Sequence, residues 1–169
     1  LLVTTTASCQ GGLPTPIVNR ARVDNASQFA GPDPQPANNA ASVSTAVKDT
    51  TPPALTLSAT PSVLWPPNHK FVPVTIAVTS TDVCDTNPAI RLVSITSNET
   101  PDAKGSGNTS PDVRGAAFGT DDRQFELRAE RSGGGSGRVY TITYEAEDHS
   151  GNKTTRSVTV TVPKSQSSP

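Results

Sequence analysis

Four aspartates in turn-forming surroundings carry the chain's clearest capacity for chemistry: Asp49, Asp82, Asp85 and Asp148. Carboxylates gathered at loop tips, with amides and carbonyls at hand, offer the oxygens that a hard cation such as Ca²⁺ takes. The same residues can instead cap their own turns through Asx hydrogen bonds and need no ion. No EF-hand pattern is present to decide between the two. Cys9 and Cys84 are the only cysteines. In an exported chain they suggest one disulfide, which would staple the N-terminal segment to the Asp82-Val83-Cys84-Asp85 loop; an interchain bond and two free thiols are the alternatives. Trp65 opens the segment Trp65-Pro66-Pro67-Asn68-His69-Lys70. An exposed indole there would stack on the C–H faces of a polysaccharide, whereas a buried one would plug the end of a core. Catalytic groupings are sparse: His69 and His149 are the only histidines, and no Gly-x-Ser-x-Gly elbow occurs. Paired acids such as Asp121 and Asp122 would need a deep cleft to act on a glycoside. The residue types offer binding groups and give catalysis little support.

The composition sets what must position these groups. Hydrophobic residues are 33% of the 169, Met is absent, and 16 Pro and 12 Gly punctuate a chain rich in Thr, Ser and Val. β-Branched side chains suit a pleated, half-buried surface, and Gly and Pro suit the turns between short strands, so an all-β fold is expected. A net charge of −1 gives no long-range attraction to nucleic acid or to an anionic membrane. No run of eighteen apolar residues is present for membrane insertion. Few lysines, abundant Thr and Ser, and two oxidisable cysteines suggest a secreted or cell-surface protein.

Period-2 alternation places the strands. In residues 49–163, Leu55 and Leu57 share one face, and Val72, Val74, Ile76 and Val78 another, with Pro73 marking a sheet edge or bulge. Ile90, Leu92 and Ile95 mark a third strand. Phe125, Leu127 and Ala129 alternate with Glu126, Arg128 and Glu130, which predicts a charged outer face. Tyr140, Ile142, Tyr144 and Ala146 form the next inward row, and Val158, Val160 and Val162 the last. Six or seven antiparallel strands predict a two-sheet β-sandwich. Segments 100–109 and 132–137 read as loops, and 164–169 as a disordered tail. Residues 1–48 read as three strands, at 1–7, 16–23 and 41–47, around the turn-rich stretches 9–14 and 25–39. Three strands cannot close a sandwich, so either the missing strands were removed or another chain provides them; in the second case the segment needs a partner. Its apolar residues Leu2, Val3, Ile17, Val18, Val43 and Val47 are then the expected assembly contacts. Asn25, Asn98, Asn108 and Asn152 each begin a glycosylation sequon.

The entry Asp49-Thr50-Thr51-Pro52-Pro53, a Tyr-rich strand, the turn Asp148-His149-Ser150-Gly151-Asn152 and an alternating Thr/Val strand together resemble the immunoglobulin-like modules of bacterial surface and secreted proteins. The strings Val18-Asn19-Arg20-Ala21-Arg22-Val23 and Asp33-Pro34-Gln35-Pro36-Ala37-Asn38-Asn39-Ala40-Ala41-Ser42-Val43 are similar to the last half of the repeat known as DUF11, found in long bacterial and archaeal surface proteins. The Trp65 hexapeptide, Gly119-Thr120-Asp121-Asp122-Arg123 and Leu127-Arg128-Ala129-Glu130-Arg131 are similar to C-terminal modules of secreted bacterial proteins. Many such immunoglobulin-like modules pair a cysteine in the Cys84 loop with one on the final strand. Here that strand holds Arg156-Ser157-Val158-Thr159, which leaves Cys9 as the only intrachain candidate. The resemblance implies an immunoglobulin-like sandwich over 49–163, preceded by an incomplete strand segment over 1–48. It further points to scaffolding or adhesion; with the incomplete segment, the leading expectation is a structural protein of a cell surface or fibre that self-associates head-to-tail by strand complementation. An accessory module that holds polysaccharide, and a passive spacer, are the other expectations.

Overall fold

Short alternating runs bounded by Gly, Pro and Asx residues give eleven strands and no α-helix over the described residues of the computed structural model, which are 8–22, 36–102, 104–107 and 109–165. The first four strands are β1 (Cys9–Gln10), β2 (Leu13–Pro14), β3 (Ile17–Arg22) and β4 (Ala40–Thr45), the last preceded by a single 3₁₀ turn at Pro36–Asn39. The next four are β5 (Ala54–Thr60), β6 (Phe71–Thr81), β7 (Ala89–Ser97) and β8 (Val113–Arg114). They are followed by β9 (Gln124–Arg128), β10 (Gly137–Glu147) and β11 (Lys153–Pro163). No helix among the described residues is long and apolar enough to cross a membrane.

Strands β5 to β11 form the expected sandwich. One antiparallel sheet has the order β5-β6-β9-β8 and the other β11-β10-β7. Their inner faces share one core, in which Val74, Ile76, Phe125 and Leu127 of the first sheet join Leu92, Tyr140, Ile142, Tyr144, Val160 and Val162 of the second. After β5 the chain crosses to the other sheet: Val63 bridges Thr161 in parallel, and the Leu64 N–H donates to the Thr161 carbonyl at 2.8 Å. This crossing ties the two layers at their edges and drives Leu64 into the core at 1% exposure.

Two irregularities are where the period-2 reading meets its limits. Pro73 lies in β6, which has a neighbour on each side, but β5 reaches only to Thr75. At Pro73 the strand is therefore flanked by β9 alone, the condition under which a missing backbone donor is tolerated. In β7, Leu92 opposes Tyr144 while Ser94 opposes Thr143, so Val93 is an extra residue. This bulge resets the parity, which is why Leu92 and Ile95, three apart, both face inward and Val93 is exposed.

Several expectations need correction. The charged outer face of β9 ends at Arg128. Ala129 is held by the backbone of His69 and Lys70, then the Glu130 N–H bonds back to the Arg128 carbonyl, and Glu130 is fully buried. Segment 9–14, expected as a turn, is a hairpin of β1 and β2. Its two-residue loop, Gly11-Gly12, has positive φ at both positions, as primed hairpin turns require. Strand β4 stops at Thr45, so Val47 lies outside the ladder. The strand expected over 1–7, with Leu2 and Val3, lies outside the described residues, as do Val23 and most of the tail. Lys164 at the start of that tail accepts a hydrogen bond from Arg131 through its carbonyl, at 2.8 Å.

Candidate functional site

The end of the sandwich nearest the N-terminal segment gathers three of the four expected aspartates. Asp49 precedes β5 and Asp82 follows β6, so the β5–β6 ladder brings these two together; Asp148 follows β10 of the other sheet, and its turn is tied to them by the Asn152 side-chain amide, which donates to the Asp49 carbonyl at 3.2 Å. One carboxylate oxygen of each lies within 4.8 Å of the others. The turn-capping role is also real, and it uses part of the set. Asp49 Oδ1 accepts from the Thr51 N–H at 2.9 Å, and Asp82 Oδ1 from the Cys84 and Asp85 N–H groups, each at 2.8 Å. Asp148 accepts from the Asn152 backbone and side-chain amides, each at 2.8 Å. Asp49 Oδ2 and Asp82 Oδ2 are buried and have no hydrogen-bond partner. Burial opposes the charged form of Asp148, but the hydrogen bonds from Asn152 and the neighbouring backbone outweigh it and hold its carboxyl below the usual carboxylate range.

Asp85 is not the fourth member. It is buried and accepts hydrogen bonds from the backbone N–H groups of Asn87 and His149, at 2.8 and 3.0 Å. His149 Nδ1 lies 2.6 Å from its Oδ2. Burial raises its pKa, and these bonds and the imidazole more than reverse that, leaving it lowered. Asp85 is thus committed to tying the β6–β7 loop to the β10–β11 turn.

The N-terminal segment is anchored at this same end. Cys9 and Cys84 form a disulfide. Gly12 approaches His149 so closely that a Cβ built there would sit 2.7 Å from Nδ1. Only glycine fits, both for this contact and for its φ of +82°. Leu13, Pro14, Val47, Lys48 and Asp49 line a cleft of about 420 Å³ with His149 and Ser150, so Val47 belongs to this junction and not to an assembly ribbon.

Strands β3 and β4 make a two-stranded ribbon that pairs with no other described strand. All its residues except the half-buried Ile17 are exposed. The register divides the expected assembly residues. Ile17, Asn19 and Ala21 oppose Thr45, Val43 and Ala41 on one face, whereas Val18 lies on the other with Arg20 and Arg22.

Trp65 is 40% exposed. The plug expected of it is Leu64. On β6, the Arg114 and Arg128 guanidinium groups lie 4.4 and 4.2 Å from the Phe71 ring centroid.

The opposite end of the sandwich holds a polar network that the loop reading of residues 132–137 and the outward placement of Glu130 concealed. Arg138 is fully buried and bonds Asp112; its side chain lies 3.6 Å from Glu130 and 3.4 Å from Glu99. Glu130 also binds Thr109 and lies 3.2 Å from His69 Nδ1. Burial raises the Asp112 carboxyl, Glu130 adds to the effect, and Arg138 only partly offsets it. The missed signal was parity: Arg138 continues the inward row of Tyr140, Ile142, Tyr144 and Ala146.

Comparison with known proteins returned no matching family model, no similar curated protein and no similar solved structure.

Proposed function

We propose that this chain is an extracellular structural module of a cell surface or fibre, which assembles by adding its β3–β4 ribbon to a sheet of a neighbouring copy. The observation that carries this reading is the ribbon itself. A two-stranded ribbon is marginal in water unless a third strand or a packed face joins it. Here eleven of twelve residues are exposed, and the ribbon lies outside both sheets. An added edge would supply main-chain hydrogen bonds, and the apolar face of Ile17, Ala21, Ala41 and Val43 would supply register. The contact is heterologous, so successive copies build a filament unless the rotation closes. Support for an immunoglobulin-like module comes from the strand order: β5-β6-β9-β8 over β11-β10-β7 corresponds to the four-plus-three arrangement of constant-type domains. The disulfide supports an oxidising compartment.

Light scattering on two variants tests the assembly. Val43→Lys places a charge on the proposed contact face and should leave monomers, whereas Val18→Lys, on the Arg-bearing face, should assemble as the parent does. Equal behaviour of the two would remove the assigned face.

The exposure of Trp65 favours a second reading, a polysaccharide-binding accessory module. Glycan titration with Trp65→Ala tests it: an affinity unchanged by the substitution would eliminate the indole platform.

A further inference from the structure

The two ends of strand β10 both gather acids, and only one set has cations paired with it. Its inward row runs from Arg138 to Ala146, and the next residue of the same parity is Asp148. At the Arg138 end, the buried acids Asp112 and Glu130 have cations in reach, Arg138 itself and Arg128. At the Asp148 end, Asp49, Asp82 and Asp148 converge, and no lysine, arginine or histidine among the described residues makes an ion pair with any of them. The nearest imidazole, His149, is engaged by Asp85.

Lys48 lines the cleft beside Asp49 but makes no ion pair with it, and three convergent carboxylates without an ion-pair partner are a costly arrangement, because like charges at this separation repel strongly in a partly desolvated site. The second, independent observation is the orphaned oxygen. Asp49 is 7% exposed, its Oδ1 is spent on the Thr51 N–H, and its buried Oδ2 has no partner. Asp82 Oδ2 is in the same condition. Buried carboxylate oxygens ordinarily find a donor or a metal. We propose that Asp49, Asp82 and Asp148 hold a hard divalent cation, Ca²⁺ in preference to a transition metal, at the junction between the N-terminal segment and the sandwich. The donor set is all oxygen, and the two cysteines at this end, Cys9 and Cys84, are consumed in their disulfide. Such a set suits Ca²⁺ and leaves further positions for carbonyls and water. The three ligands come from the irregular segment between β4 and β5, the β6–β7 loop and the β10–β11 turn, so the ion would fix the segment that leads into the sandwich beside its disulfide. This inference does not depend on what the ribbon pairs with.

The test is calorimetric titration of the full oxidised chain with CaCl₂ after EDTA treatment and dialysis, alongside thermal unfolding. One Ca²⁺ should bind per chain, and at a hundredfold excess over Kd it should raise Tm by roughly 5–10 °C. Asp49→Asn keeps the Oδ1 cap on Thr51 but removes a charge. It should lose at least tenfold in Ca²⁺ affinity while melting no lower than the parent in EDTA, since a repulsion has gone. Asp148→Asn should also lose affinity. No binding heat at millimolar CaCl₂ with a Tm indifferent to EDTA would overturn the proposal, as would Ca²⁺ binding unaffected by either substitution. A Tm for Asp49→Asn below the parent's in EDTA, with no Ca²⁺ response in either, would overturn the proposal and identify the cluster as turn caps alone.

Discussion

Leu64 and Trp65 are adjacent and divide between them the two roles open to the indole: Leu64 fills the core and Trp65 meets solvent. Truncating Leu64 to Ala removes a fully buried side chain and should cost about 2–5 kcal/mol by urea unfolding, from lost transfer energy and the cavity left behind. Trp65→Ala should cost about 1 kcal/mol or less. A reversal of that order would contradict the placement of the pair. The two tyrosines make a sharper test. Tyr140 donates to the Arg128 carbonyl and Tyr144 to the Asp122 carbonyl, both rings are buried, and burial is the main cause that pushes each pKa up to about 12. Their unfolded value is near 10. The fold therefore favours the neutral phenols, and this stability is complete below pH 10 and lost as pH rises through 12. Absorbance at 295 nm should show no tyrosinate at pH 10 in the native protein, and its appearance should coincide with alkaline unfolding. Half-ionisation at pH 10 with the fold intact would show that the phenols are not buried. At this scale the inward rows were legible because period 2 alone sets them. Arg138 and Glu130 were not, because composition argued for solvent and only contacts distant in sequence make their burial tolerable.

The element scale shows the same division. Strands β5, β6, β9, β10 and β11 could be read from alternation, yet the Val93 bulge and the crossing at Val63 could not, since both are defined by a partner strand. The bulge leads to a prediction. Deleting Val93 leaves Leu92 opposite Tyr144 and Ser94 opposite Thr143, so the ladder becomes regular and Ile95 still faces inward. The protein should fold, with Tm lowered by a few degrees at most. Deleting Thr141 from β10, which has no extra residue to lose there, would invert one half of that strand and should prevent folding. If the two deletions proved equally damaging by circular dichroism and melting, the bulge assignment would fail. The ribbon belongs to this scale as well. Its apolar residues were visible in the sequence, but only the register separates Val43 from Val18, and three of the expected contacts, Leu2, Val3 and Val47, are not part of its described ladder.

At the scale of the whole molecule, the N-terminal segment is joined to the sandwich by a disulfide that spans 75 residues and by a glycine packed on His149. Closing so long a loop restricts the unfolded chain, so reduction should lower unfolding free energy by about 2–4 kcal/mol, measured by urea titration with and without reductant. An unchanged midpoint would mean that the staple does not constrain the cooperative unit. The junction thus holds one end of the segment fast while β3 and β4 remain open to a partner. The measurement that bears most directly on this account is the mass of the oxidised chain across a concentration series by light scattering, with electron microscopy of the same samples. The account predicts species heavier than the 17.5 kDa monomer that grow with concentration into filaments. A mass of 17.5 kDa at every concentration would contradict it.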